Sequence, residues 1–249
     1  MSAVSPSLAP PPLRKRTKMY RVKHVWKTLQ GEGLFAGRPA VFVRFVGCNM
    51  WSGHDATRER DAARTEADCP LWCDTSFTKE GSRTYTADAL VASMTEVADD
   101  VRFCVLTGGE PLLQLDAALL RALQAEGWQV AIETNGTVPL RTRCWDDDAN
   151  ALVTPDWIVC SPKLPQDRLK LELFDELKLV VPDYLPDAYA VFAQRQRRHY
   201  TGSHILPLLW LQPEDGPRLA DARRLAIELS LAHPAWRVST QTHKILDVE

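Results

Sequence analysis

The stretch RFCVLTGGEPLLQLDAALLRALQAEGWQVAIET, residues 102–134, sets the architecture. It begins with an apolar run of strand length at 102–107 and passes through a turn with two glycines. A helical pattern follows at 115–126, with Leu119, Leu120 and Leu123 as its apolar stripe, and Gly127 ends it. Residues 128–134 are again an apolar strand. Strand, helix and strand within about thirty residues form the unit that joins two parallel strands by a crossover.

Outward from this unit the same alternation continues. It predicts strands at 20–26, 40–47, 156–160, 176–181, 204–211 and 236–240. A helix capped by Thr86 runs to about residue 100, with Leu90, Val91 and Met94 on one face, and further helices are expected at 187–199 and 217–232. The fold class is therefore α/β with mostly parallel strands. Two stretches fit neither period. Residues 49–68 are rich in charge, with a helical possibility at 56–67, and read as an insertion. Residues 141–155 carry the acidic run Asp146, Asp147 and Asp148 and read as a solvated loop. With no repeat and no linker after residue 20, a single domain is expected at 19–249, behind a disordered, Pro-rich tail at 1–18 that ends in a basic cluster.

Composition narrows the function. The 249 residues are 45% hydrophobic and 25% charged, as in ordinary globular proteins. Lys and Arg number 30 against 32 Asp and Glu, a net charge of -2, which lacks the positive field that drives duplex nucleic-acid binding. A small-molecule site is expected, with no direct nucleic-acid or membrane partner. No apolar run approaches the ~20 residues that cross a bilayer, and the run at 205–211 is broken by Pro207. The N-terminal segment has no apolar core of a secretory signal. Six cysteines in such a chain fit a reducing cytoplasm, where thiols serve metals or catalysis.

Three of those cysteines, Cys48, Cys69 and Cys73, have the spacing C-x20-C-x3-C. Three thiolates can hold a four-iron cubane and leave one iron open for chemistry. The same thiolates with His54 would make a tetrahedral zinc site, and buried, inert cysteines are a third reading. Cys104 and Cys160 lie within apolar strands and read as small core residues, and Cys144 as a plain thiol. At the end of the strand at 102–107, Thr107-Gly108-Gly109-Glu110-Pro111 lets backbone approach a polar ligand, and Glu110 can accept from an amino group. Taken alone, such a turn is common.

The motifs Thr28-Leu29-Gln30-Gly31-Glu32-Gly33, Gly37-Arg38-Pro39-Ala40, Phe42-Val43-Arg44-Phe45, Gly47-Cys48-Asn49, Cys73-Asp74-Thr75, Thr107 to Pro111, Glu133-Thr134-Asn135-Gly136, Ser161-Pro162-Lys163 and Gln241-Thr242-His243-Lys244 occur in this order. In that order and over residues 20–249 the chain resembles the 7-carboxy-7-deazaguanine synthases. These are radical S-adenosylmethionine enzymes of queuosine and deazapurine biosynthesis. The resemblance implies a partial, shortened (β/α) barrel with the cluster in a loop at the C-terminal ends of the strands. It implies a carbon-nitrogen lyase that contracts the ring of 6-carboxy-5,6,7,8-tetrahydropterin, through a 5′-deoxyadenosyl radical, to 7-carboxy-7-deazaguanine with loss of ammonia. It also implies a homodimer and an electron donor such as flavodoxin or ferredoxin.

Site residues follow by the same resemblance. Cys48, Cys69 and Cys73 would hold the 4Fe-4S cluster. Trp72, Cys73, Asp74, Gly109, Glu133, Ser161, Pro162, Lys163 and the Gln212-Pro213-Glu214-Asp215 turn would lie along S-adenosylmethionine, and Thr75 would contact Mg2+. Leu29, Gln30, Gly31, Glu32, Arg44, Thr107 and His243 would face the pterin. Arg44, a guanidinium on a strand otherwise rich in Val and Phe, would pair with the substrate carboxylate. The chain ends at Glu249, whose terminal carboxylate would reach the substrate, so that an extension there is expected to impair turnover. One feature departs from the pattern: Cys69-Pro70-Leu71-Trp72-Cys73 has one residue more than the usual final C-x2-C. Two other functions are kept open, a different radical enzyme such as a glycyl-radical activase and a zinc-stapled binding module without catalysis.

Overall fold

The computed structural model describes residues 17–67, 73, 75–196, 200–201, 204–205 and 208–248. Along the chain the strands are β1 (Tyr20–Leu29), β2 (Pro39–Phe45), β3 (Arg83–Tyr85), β4 (Phe103–Gly108), β5 (Gln129–Thr134), β6 (Trp145–Asp146), β7 (Ala151–Leu152), β8 (Trp157–Cys160), β9 (Glu176–Val181), β10 (Tyr200–Thr201), β11 (His204–Ile205), β12 (Leu209–Pro213) and β13 (Trp236–Val238). The α-helices are α1 (Arg58–Thr65), α2 (Ala87–Ala98), α3 (Ala117–Ala125), α4 (Arg141–Cys144), α5 (Leu219–Ala232) and α6 (Thr242–Ile245).

Nine strands form one sheet in the order β13-β12-β9-β8-β5-β4-β2-β1-β3. From β2 to β13 all pairs are parallel, and β1 pairs antiparallel with β2 and β3 at one edge. The parallel strands follow chain order, as around a barrel, but the sheet stays open between β3 and β13. It is a partial barrel wall of the expected type.

Local chemistry sets the helix boundaries. Thr86 caps α2 by accepting from Ala89 N at 3.2 Å, and Asp116 caps α3 by accepting from Leu119 N at 3.0 Å. Gly127, at φ +76°, ends α3. Leu90, Val91 and Met94 of α2, Leu119, Leu120 and Leu123 of α3 and Ala222 and Ala226 of α5 pack with one face of the sheet, which supplies Val41, Val43, Cys104, Leu106, Val130, Ile132, Ile158 and Leu177. The residues between these point to the other face, because the side-chain period of a strand is two. There Ala40, Phe103, Val105, Ala131, Trp157, Val159 and Trp210 form a second apolar cluster. Full burial of one large apolar side chain contributes roughly 2 kcal/mol, so this inner floor is a substantial part of the fold.

Four sequence expectations are corrected. The strand expected at 204–211 begins at Leu209 and runs on to Pro213, because His204–Ile205 pairs instead with Tyr200–Thr201 in a hairpin. The helix expected at 187–199 is two 3-10 turns, Pro186–Tyr189 and Phe192–Arg195. Phe192 N donates to Gln166 Oε1 at 2.9 Å and Gln196 Nε2 to Asp175 O at 2.7 Å, and these ties hold the segment in another course. The acidic stretch at 141–155 is α4 followed by the β6–β7 hairpin, whose turn is closed by Asp148 N and Ala149 N donating to Asp146 Oδ1. The first strand extends three residues further than expected, since Thr28 and Leu29 pair with Ala40 and Pro39. The helical possibility in the insertion forms α1. Most of the expected tail lies outside the described residues, and among those described Lys18 pairs with Asp116 at 2.7 Å. Among the described residues no helix is long and apolar enough to cross a membrane.

Candidate active site

The period of two that builds the apolar floor also builds the site above it. Continuing up each strand from Phe42, Val105, Ala131, Val159 and Trp210, the next inward positions are Arg44, Thr107, Glu133, Ser161 and Gln212, and all five line one cleft of about 450 Å³. Apolar residues fill the bottom of the inner face and polar ones take the C-terminal ends of the strands, where a parallel sheet presents its ligand site.

Most of the residues singled out in the sequence meet in this cleft. Leu29 reaches it from the end of β1, Gln30, Gly31 and Glu32 from the β1–β2 loop, and Arg44 from β2, its guanidinium 4.8 Å from the Trp26 ring. Cys48 follows β2, while Cys73 and Thr75 come from the far side of the insertion. Thr107 lies near the end of β4 and Gly109 just after it, Glu133 lies near the end of β5, and Ser161 and Lys163 follow β8. Gln212, Pro213, Glu214 and Asp215 close β12, and His243 arrives on α6. Pro162 is buried between Ser161 and Lys163 and does not line the cleft. Cys69, Trp72, Asp74 and Glu249 lie outside the described residues.

Hydrogen bonds hold the Cys48 loop in place. Glu110 N donates to Gly47 O at 2.9 Å and Gly47 N to Phe77 O at 3.1 Å. On the other side of Cys48, Asn49 accepts from Asn135 Nδ2 at 3.0 Å and donates to Thr137 Oγ1 at 2.7 Å. Met50 N points at the Cys48 sulfur at 3.4 Å, the kind of donor that stabilises a thiolate bound to iron. Two thiols facing one cleft, with a backbone donor on one of them, fit a cluster of which Cys69 would be the third ligand. The zinc alternative fits less well, because His54 is exposed and does not line the cleft.

The expectation that Glu110 accepts from a ligand amino group is corrected. Glu110 is fully buried and accepts from Thr134 Oγ1 and Asn135 N, each at 2.8 Å, and from Leu112 N at 3.0 Å. Its acceptors are used to tie the end of β4 to the end of β5. Burial pushes its carboxyl up to about 7, against the pull of these donors. Glu176, which accepts from Trp157 Nε1 at 2.5 Å and Leu34 N at 3.0 Å, is likewise raised by burial to about 7. Between the ordinary value of 4.5 and about 7 the unfolded chain has released a proton that the folded chain keeps, so stability falls as pH rises through this window. Each group accounts for at most about 3 kcal/mol. Urea denaturation at pH 5 and pH 7.5 should show this loss, and Glu110→Gln should flatten it; an unchanged slope in that variant would refute the assignment.

Sequence reasoning missed Lys178. It stands on β9 in the run Glu176 to Val181, where Glu176 and Lys178 alternate with the buried Leu177 and Leu179. That alternation within a strand buried on both faces was the available signal. The Lys178 ammonium donates to Glu32 and, at 2.9 Å, to Glu133. Gln212 and Gln241 donate to the other Glu32 oxygen at 2.7 and 2.9 Å, and Gln30 reaches the other Glu133 oxygen at 3.4 Å. Burial alone would raise Glu32, but Lys178 and the two glutamine amides hold it below the ordinary carboxylate range. Burial raises Glu133, with the Glu32 charge adding to it and Lys178 opposing. Next to Glu32, Gly31 packs against the His243 ring so closely that a Cβ there would stand 2.6 Å from His243 Cγ.

Comparison with known proteins gives the same picture. The model of the radical SAM superfamily matches residues 69–179. The chain is 43% identical to 7-carboxy-7-deazaguanine synthase of Bordetella pertussis over 239 residues, which covers 92% of this chain and 99% of that protein. It is 41% identical to the enzyme of that name from Bradyrhizobium diazoefficiens, with the same coverage. Its fold is similar to the crystal structure of QueE from Escherichia coli, with a TM-score of 0.61 and 25% identity over 90% of this chain and 94% of that one.

Proposed function

The chain belongs to the family of 7-carboxy-7-deazaguanine synthases, within the radical S-adenosylmethionine superfamily, and on that premise we propose that its cleft converts 6-carboxy-5,6,7,8-tetrahydropterin to 7-carboxy-7-deazaguanine with loss of ammonia. The observation that carries this reading is that Cys48 and Cys73 share one cleft with Gln30, Glu32, Arg44 and His243. A metal centre alone would not need the second set. When bound, the cluster supplies the electron that opens S-adenosylmethionine to radical chemistry.

The chain's own residues then bind, orient and exclude water. Cys48, Cys69 and Cys73 would hold three irons of the cluster. Gly109, Glu133, the Ser161 to Lys163 segment and the Gln212 to Asp215 turn flank S-adenosylmethionine, together with Trp72 and Asp74. Thr75 lines the cleft and would offer a hydroxyl to Mg2+, a hard cation that prefers oxygen ligands. Gln30 and the ionised Glu32 read the donor and acceptor edge of the pterin, and Arg44 pairs with its carboxylate in a wall made dry by Trp26 and Phe42. Thr107, His243 and the terminal carboxylate of Glu249 complete the pocket. The electron comes from a flavodoxin or ferredoxin, and the working unit is a homodimer in the cytoplasm.

The test is anaerobic turnover of the reconstituted protein with the pterin, S-adenosylmethionine, Mg2+ and a reductant, with the product followed by mass. Formation of 7-carboxy-7-deazaguanine supports the reading, whereas cleavage of S-adenosylmethionine without it would mean that the pterin pocket is wrongly assigned. Within that assay Arg44→Met should raise KM for the pterin by about 100-fold, the worth of a charge-assisted pair of about 3 kcal/mol. Its KM for S-adenosylmethionine should stay near that of the wild type; equal rises in both constants would remove Arg44 from its role.

A further inference from the structure

Lys178 lines the cleft with its side chain only 6% exposed, and its ammonium lies between the carboxylates of Glu32 and Glu133. Each of its two partners is held by one oxygen to glutamine amides and by the other to this ammonium. Glu32 Oε1 takes Gln212 and Gln241, and Glu32 Oε2 takes Lys178. Glu133 Oε1 takes Gln30, and Glu133 Oε2 takes Lys178. Neither carboxylate can turn without giving up a bond to the same cation.

We propose that Lys178 is a positioning residue that couples the substrate side of the cleft to its cofactor side, by balancing the charges of Glu32 and Glu133 and fixing the direction of both. This rests on the reading above, in which Glu32 faces the pterin and Glu133 faces S-adenosylmethionine. Two carboxylates and one ammonium leave the group with one net negative charge. Without the ammonium, two like charges remain buried side by side. They then either move apart or one of them takes a proton, and a protonated Glu32 presents a donor where the pterin needs an acceptor. Both carboxylates hold Lys178 charged in spite of its burial, so the balance is a property of the folded site. Because the two partners come from the β1–β2 loop and from the end of β5, the ammonium also fixes the distance between these walls.

The test is a comparison of Lys178→Met, Glu133→Gln and the double variant with the wild type, all as reconstituted enzyme. Methionine keeps the length of the stem and loses the charge. Lys178→Met should raise KM for the pterin and KM for S-adenosylmethionine together, each by about tenfold or more, as expected when one partner of a buried ion group is removed. The double variant returns the group to one net negative charge. Its KM for the pterin should come back to within about threefold of that of Glu133→Gln alone, less than the ~1.4 kcal/mol that a tenfold change represents. A side chain that merely fills space would give no such recovery, and its absence, or a rise in only one of the two constants in Lys178→Met, overturns the proposal. If Lys178→Met does not fold, the double variant decides: folding with the recovered KM supports the coupling, and failure to fold overturns it. Wild-type protein that makes no 7-carboxy-7-deazaguanine would refute the functional reading instead. The coupling is then read from thermal denaturation, where Glu133→Gln should restore the melting temperature lost in Lys178→Met, and no restoration overturns it.

Discussion

Gly109→Ala should lose most of its bound iron and at least about 100-fold in turnover, the cost of displacing reacting groups by about 1 Å. A Cβ at this position would stand 2.6 Å from Gly47 C and 2.7 Å from Cys48 Cβ, and it would also meet the Gly47 carbonyl oxygen. These are main-chain atoms and the root of the Cys48 side chain, proposed above as a cluster ligand, so no side chain can swing away to make room. The loop carrying Cys48 must move instead, and with it the Glu110 N to Gly47 O bond that fixes the loop to the end of β4. The preceding residue adds to this, for Gly108 has φ +141° and sits over the Phe45 backbone. The two glycines of Thr107-Gly108-Gly109-Glu110-Pro111 thus serve the approach of strand β4 to the loop that carries Cys48. Iron content and far-UV circular dichroism measured together distinguish this from unfolding. A Gly109→Ala protein with full iron and wild-type turnover would show that the loop tolerates the shift and that the geometry above does not matter for the cluster.

What could be read from the sequence follows the physics of period and punctuation. The unit at 102–134 was legible because each boundary had a local cause: a helical stripe of Leu119, Leu120 and Leu123, and Gly127 at its end. Parallel order followed from the same alternation along the chain. The course of 187–199 was not legible, since it is decided by Gln166 and Asp175, which belong to distant loops. The strand ending at Pro213 was misplaced for a similar reason, because a hairpin takes His204–Ile205 away from it. Within the cleft, Gln30, Glu32, Arg44 and His243 stood out by resemblance. Lys178 did not, although its alternation with Leu177 and Leu179 marks it as facing inward. Glu110 was noticed for a role its geometry does not allow, because three donors buried with it are invisible until β4 and β5 are paired.

The cysteines should separate into two classes, and the separation has the largest effect of all. Cys48→Ala, Cys69→Ala and Cys73→Ala should each abolish cleavage of S-adenosylmethionine and remove most of the iron and sulfide. Alanine at Cys104, Cys144 or Cys160 should leave both in place. The reason is the parity of the strands. Cys104 and Cys160 alternate with inward residues on β4 and β8, so their thiols face the helices and pack with the larger core cluster. Burial raises both far above the ordinary thiol range, and raises Cys144 to about 12, which keeps all three protonated and unreactive as free thiols. Their replacement should cost only about 1 kcal/mol each, the price of a small cavity. Cys48 and Cys73, in contrast, line the cleft. The arm that tests most is Cys69→Ala, because its loop carries one residue more than the usual spacing. Full iron in that variant would mean that the longer loop supplies a different third ligand. Loss of iron in Cys160→Ala would mean that a thiol behind the sheet reaches the cluster, which strand parity forbids.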